Sequence, residues 1–191
     1  MRREKRPSSL PNLLTEIRIA CIPIVFLCLN FTGKLWSLIA AICISLAFIT
    51  DILDGFFARR YASVTTVGKF LDPLADKVLV SVTMIMLIPM GRIPAWIVAI
   101  IILREIAVTG LRGIASEKKV IIPAGKLGKY KTIFQGVALI GLCIHYEYFG
   151  INFHVVGMAM LWIALVLTVW SGVDYFQKFR LVFKEDYYET S

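Results

Sequence analysis

Residues 78–103 read VLVSVTMIMLIPMGRIPAWIVAIIIL, and Arg92 is the single charge among them. Gly91 and Pro94 break this run in two, since glycine turns the chain and proline cannot continue a hydrogen-bonded ladder. A lipid interior tolerates only segments that satisfy their own backbone groups, so the stretch reads as two membrane-spanning helices joined by a tight turn. The rest of the chain repeats the pattern. Apolar runs at 17–31, 35–50, 78–90, 93–103 continuing to 108, 133–144 and 155–170 predict six spans, with turn residues at Thr32-Gly33, Pro123-Ala124-Gly125 and Phe149-Gly150 between them. Several runs fall short of bilayer thickness, but each adjoins a polar stretch of helical character on the same side. Helices are expected to project past the membrane there.

Composition agrees. Of 191 residues 58% are hydrophobic and 18% charged, with a mean hydropathy of +0.76, whereas a soluble domain carries about a quarter charged residues. A disordered chain and an ordinary soluble domain are both excluded. The net charge of +8 fits nucleic acid or an anionic membrane surface, and the hydropathy decides for membrane lipids and against nucleic acid. With the N-terminus inside, only Lys34 and Arg92 of the 21 Lys and Arg fall on the outer side. That bias predicts an even number of spans with both termini cytoplasmic. The fold class expected is all-α and polytopic, with residues 1–191 forming one membrane domain and residues 1–12 a basic surface segment limited by Pro7. Cys21, Cys28, Cys43 and Cys143 stand singly in apolar runs and read as packing residues.

Of the 13 acidic residues, Asp51, Asp54, Asp72 and Asp76 crowd the cytoplasmic ends of the second and third runs. Asp51 and Asp54 share a helix face with Gly55 and Ala58, and Gly68, Asp72 and Asp76 recur at intervals of four on another. Pro73 either starts the third helix, with Asp72 as its N-cap, or lies inside it. The short connection at 59–67 predicts antiparallel neighbours whose carboxylate pairs meet. A charged side chain at membrane depth costs about 3 kcal/mol on insertion scales, and four carboxylates repel each other as well. Arg59 and Lys77 cannot neutralise them, and Lys77 projects about 100° from Asp76 on a helix. Divalent cations can, and an all-oxygen donor set without nearby histidine selects hard ions such as Mg²⁺ or Mn²⁺.

The full pattern, Asp51-x2-Asp54-Gly55-x2-Ala58-Arg59-x8-Gly68-x3-Asp72-x3-Asp76, resembles the signature of the CDP-alcohol phosphotransferase family at every fixed position. The resemblance implies a six-helix membrane enzyme that binds two divalent ions and a CDP-linked lipid near the cytoplasmic surface, and it suggests a homodimer. It places Asp51, Asp54, Asp72 and Asp76 at the metals, with Asp76 also the base. Asp51, Gly55, Ala58, Arg59 and Gly68 fall where the CDP-lipid binds. Independently of the name, small side chains let a nucleotide lie against helix backbone, and a paired phosphate needs its charge offset.

A second cluster follows the fourth run: Arg104, Thr109, Arg112, Lys126, Lys129 and Lys131, with Glu105, Thr132 and Gln135 among them. Arg104 and Arg112 are eight apart, near one helix face. Guanidinium forks and lysine point charges are suited to an acceptor's phosphate. The segments 11–18, 104–112 and 128–135 resemble those of family members that use CDP-diacylglycerol as donor and sn-glycerol 3-phosphate as acceptor. Spacing alone leaves inositol phosphate open. A divalent-cation transporter is the remoter alternative, disfavoured because the carboxylates cluster near one face and the outer half offers only Glu147. His145 and His154 fall by the outer turn, away from the site. Trp36, Trp96, Trp162, Trp170, Tyr146, Tyr148 and Tyr175 read as interface anchors, and Asp174 is left between capping, pairing with Lys178 and facing the site. The expected location is the cytoplasmic (inner) membrane, with the active site on the cytoplasmic side.

Overall fold

A computed structural model describes the backbone of residues 10–60, 66–117, 120 and 125–189, and the side chains of residues 17–50, 74–75, 77–117, 120, 125 and 127–181. Most of the expected basic surface segment lies outside the described residues. The chain runs α1 (Leu10–Asn30), α2 (Lys34–Arg60), α3 (Thr66–Leu87), α4 (Ala95–Glu117), α5 (Lys126–Ile144), β1 (Glu147–Tyr148), β2 (Ile151–Asn152) and α6 (Phe153–Glu189). Each apolar run falls on one helix to within a few residues. The polar stretches continue those helices as expected: α2 reaches Arg60, α4 reaches Glu117, and α6 runs for 37 residues. Because α3 starts at Thr66, Pro73 lies in its interior, and Asp72 is not its N-cap.

Two stretches, Leu127–Ile144 of α5 and Phe153–Leu181 of α6, are long and apolar enough to cross a membrane. Large apolar side chains also cover the outside of the molecule, among them Leu27, Leu35, Leu103, Ile106, Val166 and Trp170. Water disfavours such a surface and hydrocarbon does not. Inside, Val25, Ile44, Leu79, Met84, Ile97, Ile101, Leu139 and Leu161 form one continuous core that draws on every helix.

Among the described residues, α2 packs chiefly on α1 and α5, and α3 chiefly on α1 with smaller contacts to α5 and α4. The closest pair is α5 with α6. A Cβ on Gly157 would stand 2.7 Å from the Leu142 amide nitrogen, and one on Gly141 would stand 3.0 Å from the Gly157 Cα. Only hydrogen at both positions lets the backbones approach this closely.

The turn between these helices contains a two-stranded hairpin, pairing Glu147 with Asn152 and Tyr148 with Ile151. Phe149 and Gly150 both take positive φ (54° and 75°), the combination a type I′ hairpin turn requires. The all-α expectation passed over these strands, which are too short to show alternation. Here too the last carbonyls of α5 find donors. The amides of His145 and Tyr146 donate to the carbonyls of Gly141 and Ile144, and Arg92 Nη1 donates to those of Leu142 (3.3 Å) and Cys143 (2.8 Å). The four acceptors that a helix C-terminus leaves open are all satisfied.

Candidate active site

At the opposite end of the bundle from this turn lies a polar cavity of about 250 Å³. The fourth helix brings Arg104, Glu105, Thr109 and Arg112 to it, because residues at these spacings fall on one broad face of a helix. The third helix contributes Lys77 and Ser81, the fifth Lys131, Thr132 and Gln135, and the sixth Ser171, Asp174 and Tyr175.

The cavity's charges are linked across helices. Lys131, only 5% exposed, donates to Glu105 Oε1, and Arg104 Nη1 reaches the same oxygen at 3.3 Å. Arg104 Nη2 donates to Ser171 Oγ at 2.9 Å, and the Arg104 stem packs where a side chain on Gly172 would stand. Lys77 donates to the Thr109 hydroxyl, which itself donates to the Glu105 carbonyl at 2.7 Å. Arg112 lies over the Tyr175 ring, 5.9 Å from its centroid, within range of a cation–π attraction. Beneath it, Val108, Ala115 and Tyr175 form a small second core joining α4 to α6.

Of the residues predicted to grip an acceptor phosphate, Arg104, Thr109, Arg112 and Lys131 line this cavity. Lys129 is exposed and outside the lining, and the side chain of Lys126 lies outside those described. Lys77, expected to diverge by about 100° from Asp76 on the helix, also lines the cavity. Tyr175 is no interface anchor: at 4% exposure it is buried between α4 and α6. Asp174 does two of the things left open for it, pairing with Lys178 at 2.7 Å and lining the cavity. Ser171, which fixes Arg104, gave no signal in the sequence, since a lone serine in an apolar run reads as packing.

The side chains of Asp51, Asp54, Gly55, Ala58, Arg59, Gly68, Asp72 and Asp76 lie outside those described, but their backbone does not. It is helical throughout, on α2 and α3. Phe48 and Lys77 both line the cavity. Asp51 follows Phe48 by three residues, less than one helical turn, and Asp76 immediately precedes Lys77. The acidic ends of both helices thus adjoin the cationic cavity. The donor set there is all oxygen, which fits hard divalent ions. Among the described residues, no group of three or more His, Cys, Asp or Glu side chains could hold a metal.

The family model for CDP-alcohol phosphatidyltransferase matches residues 8–170. The CDP-diacylglycerol–glycerol-3-phosphate 3-phosphatidyltransferase of Bacillus subtilis (strain 168) is 41% identical over 184 residues, covering 89% of this chain and 94% of that protein. The protein of the same name from Rickettsia bellii (strain RML369-C) is 39% identical over 180 residues, covering 94% and 99%. A probable phosphatidylglycerophosphate synthase of Mycobacterium tuberculosis (strain ATCC 25618 / H37Rv) is 38% identical over 178 residues, covering 89% and 81%.

Proposed function

The chain belongs to the CDP-alcohol phosphatidyltransferase family, and we propose that it transfers the phosphatidyl group of CDP-diacylglycerol to sn-glycerol 3-phosphate, giving phosphatidylglycerol phosphate and CMP. The relatives named for this reaction support the substrates. The observation that carries the acceptor is the convergence of Lys77, Arg104, Arg112 and Lys131, from three helices, on one cavity beside the acidic helix ends. An acceptor that already bears a phosphate needs such cations, whereas an amino alcohol does not.

In this reading Arg104, Thr109, Arg112 and Lys131 bind the acceptor's phosphate, with Lys126 and Lys129 adding positive charge at the mouth. This leaves the 1-hydroxyl directed at the acidic helix ends. Asp76 takes the hydroxyl proton. The freed oxygen forms a bond to the lipid-side phosphorus as that phosphorus loses its bond to the bridging oxygen, and CMP leaves with the electron pair. Asp51, Asp54, Asp72 and Asp76 would hold two divalent ions, Mg²⁺ or Mn²⁺, which supply charge neutralisation for the paired phosphates and the leaving group. Gly55, Ala58 and Gly68 leave room for the nucleotide, and Arg59 and Asp51 contact it.

Six membrane-spanning helices with both termini and the site on the cytoplasmic side complete the reading, and the enzyme works as a homodimer in the cytoplasmic membrane. The sorting of charge supports the orientation: among the described side chains, Lys34 and Arg92 belong to the end with the β1–β2 turn, and Lys77, Arg104, Arg112 and Lys131 to the cavity end. The test offers purified protein CDP-diacylglycerol with glycerol 3-phosphate, inositol phosphate or serine in turn and follows CMP release with and without Mg²⁺. Release with glycerol 3-phosphate alone, dependent on the divalent ion, is expected. Release with inositol phosphate in its place would transfer the protein to a sister activity.

A further inference from the structure

Glu105 and Asp174 are the acids among the described side chains of a cavity whose other charges are cations. The Oε1 of Glu105 accepts from Lys131 on α5 and from Arg104 on the same helix as itself. Lys77, from α3, is close enough to act on its charge. Lys131 is almost fully enclosed, at 5% exposure, and a buried cation without a partner neither holds its charge nor its place. Arg104 is pinned from the other side by Ser171, so its guanidinium plane is set by Glu105 and Ser171 together. One carboxylate thus fixes two cations that arrive from different helices, and both line the cavity.

The charges also match. Among the described side chains, Lys77, Arg104 and Lys131 around Glu105 leave an excess of about two positive charges, against the charge of about −1.5 to −2 on a phosphate monoester near neutral pH. Without the carboxylate the same groups would repel one another and splay before any acceptor arrived. With it, they stand at a fixed spacing and need no reorganisation on binding.

We propose that Glu105 is a positioning residue for the acceptor: its carboxylate sets Lys131 and Arg104 at the spacing that grips the phosphate of the incoming alcohol. This rests on the transferase reading above. The test measures steady-state CMP release with each substrate varied in turn, for the wild type, Glu105→Ala, Glu105→Gln, Lys131→Ala and the double variant Glu105→Ala/Lys131→Ala, alongside the thermal unfolding of each in detergent.

Glu105→Ala is expected to raise the glycerol 3-phosphate KM about tenfold or more, as loss of one partner of a buried charge pair does, with the CDP-diacylglycerol KM within about twofold. Glu105→Gln, whose amide oxygen still accepts from Lys131, should recover part of that loss. The double variant should be little worse than Lys131→Ala, because Glu105 acts through the lysine. An unchanged acceptor KM in Glu105→Ala, equal rises in both KM values, or full additivity in the double variant would overturn the proposal. Should Glu105→Ala fail to fold, Glu105→Gln decides by the same KM split. A wild-type protein that releases no CMP with glycerol 3-phosphate would instead defeat the transferase reading, before any variant is compared.

Discussion

The two ends of the helix bundle both hold enclosed cations, and they use them differently. At the end with the β1–β2 turn, Arg92 is 3% exposed and donates to the carbonyls of Leu142 and Cys143 and to Ser37 Oγ at 2.8 Å. Its guanidinium also faces the Tyr146 ring. Beside it His145 and His154 meet ring to ring, with Nδ1 atoms 3.2 Å apart, and burial followed by the charge of Arg92 lowers the basicity of His145. The described hydrogen bonds of Arg92 all go to backbone carbonyls and a serine hydroxyl of the protein itself. At the cavity end, the partners of Arg104, Lys131 and Lys77 among the described residues are the Glu105 carboxylate and the hydroxyls of Ser171 and Thr109, and Arg112 lies against a ring. A cation whose hydrogen bonds are filled by backbone stabilises a fold, whereas cations that outnumber their acceptors around an open cavity are arranged for a ligand.

Three substitutions sharpen or break this contrast. The largest effect belongs to the acidic edge of the cavity: Asp76→Asn should cut turnover by about 10³-fold or more, in the range lost with a general base, while CDP-lipid binding is largely kept. Turnover near normal would remove Asp76 as the base. Next, Arg92→Met should leave the α5 carbonyls without donors and lower stability by about 3 kcal/mol, read as an earlier thermal transition in detergent with the acceptor KM unchanged. If that variant kept its stability and lost acceptor affinity instead, the assignment of the two ends would be reversed. The smallest is Arg112→Ala, which should raise the acceptor KM about tenfold, some 1.4 kcal/mol, with little change in donor KM or melting. An unmoved acceptor KM excludes Arg112 from the phosphate site.

Much of this was legible in the chain. Helices appear where the apolar runs are, because backbone satisfaction in hydrocarbon leaves few alternatives, and the turns at Gly33, Gly91 and Gly150 carry the positive φ that glycine supplies. Arg104 and Arg112 share a cavity because eight residues bring a helix round to within about 80° of its start, inside the broad face that several helices enclose. Other features were hidden for physical reasons. Lys77 was read only by its angle to Asp76, and its place in the cavity depends on how α3 stands against α4, where it meets Thr109. Tyr175 sits near a predicted span end, where tyrosine commonly anchors, and only the packing of α4 against α6 encloses it. Arg92 gave no hint of its task, since the carbonyls it caps lie 50 and 51 residues away.

By itself the sequence determined a mostly helical chain with an apolar exterior, an acidic signature confined to two helices, and cations gathered in a few segments, because these follow from local periodicity and from the cost of charge in hydrocarbon. Only the tertiary structure decided which cations cap backbone and which border the cavity, that Ser171 and Tyr175 of α6 meet Arg104 and Arg112 of α4 there, and that the described parts of α2 and α3 both pack on α1 and α5. Those outcomes depend on how closely helix backbones approach, as at Gly141 and Gly157. Such distances are fixed by side chains far apart in the chain, which no local pattern encodes.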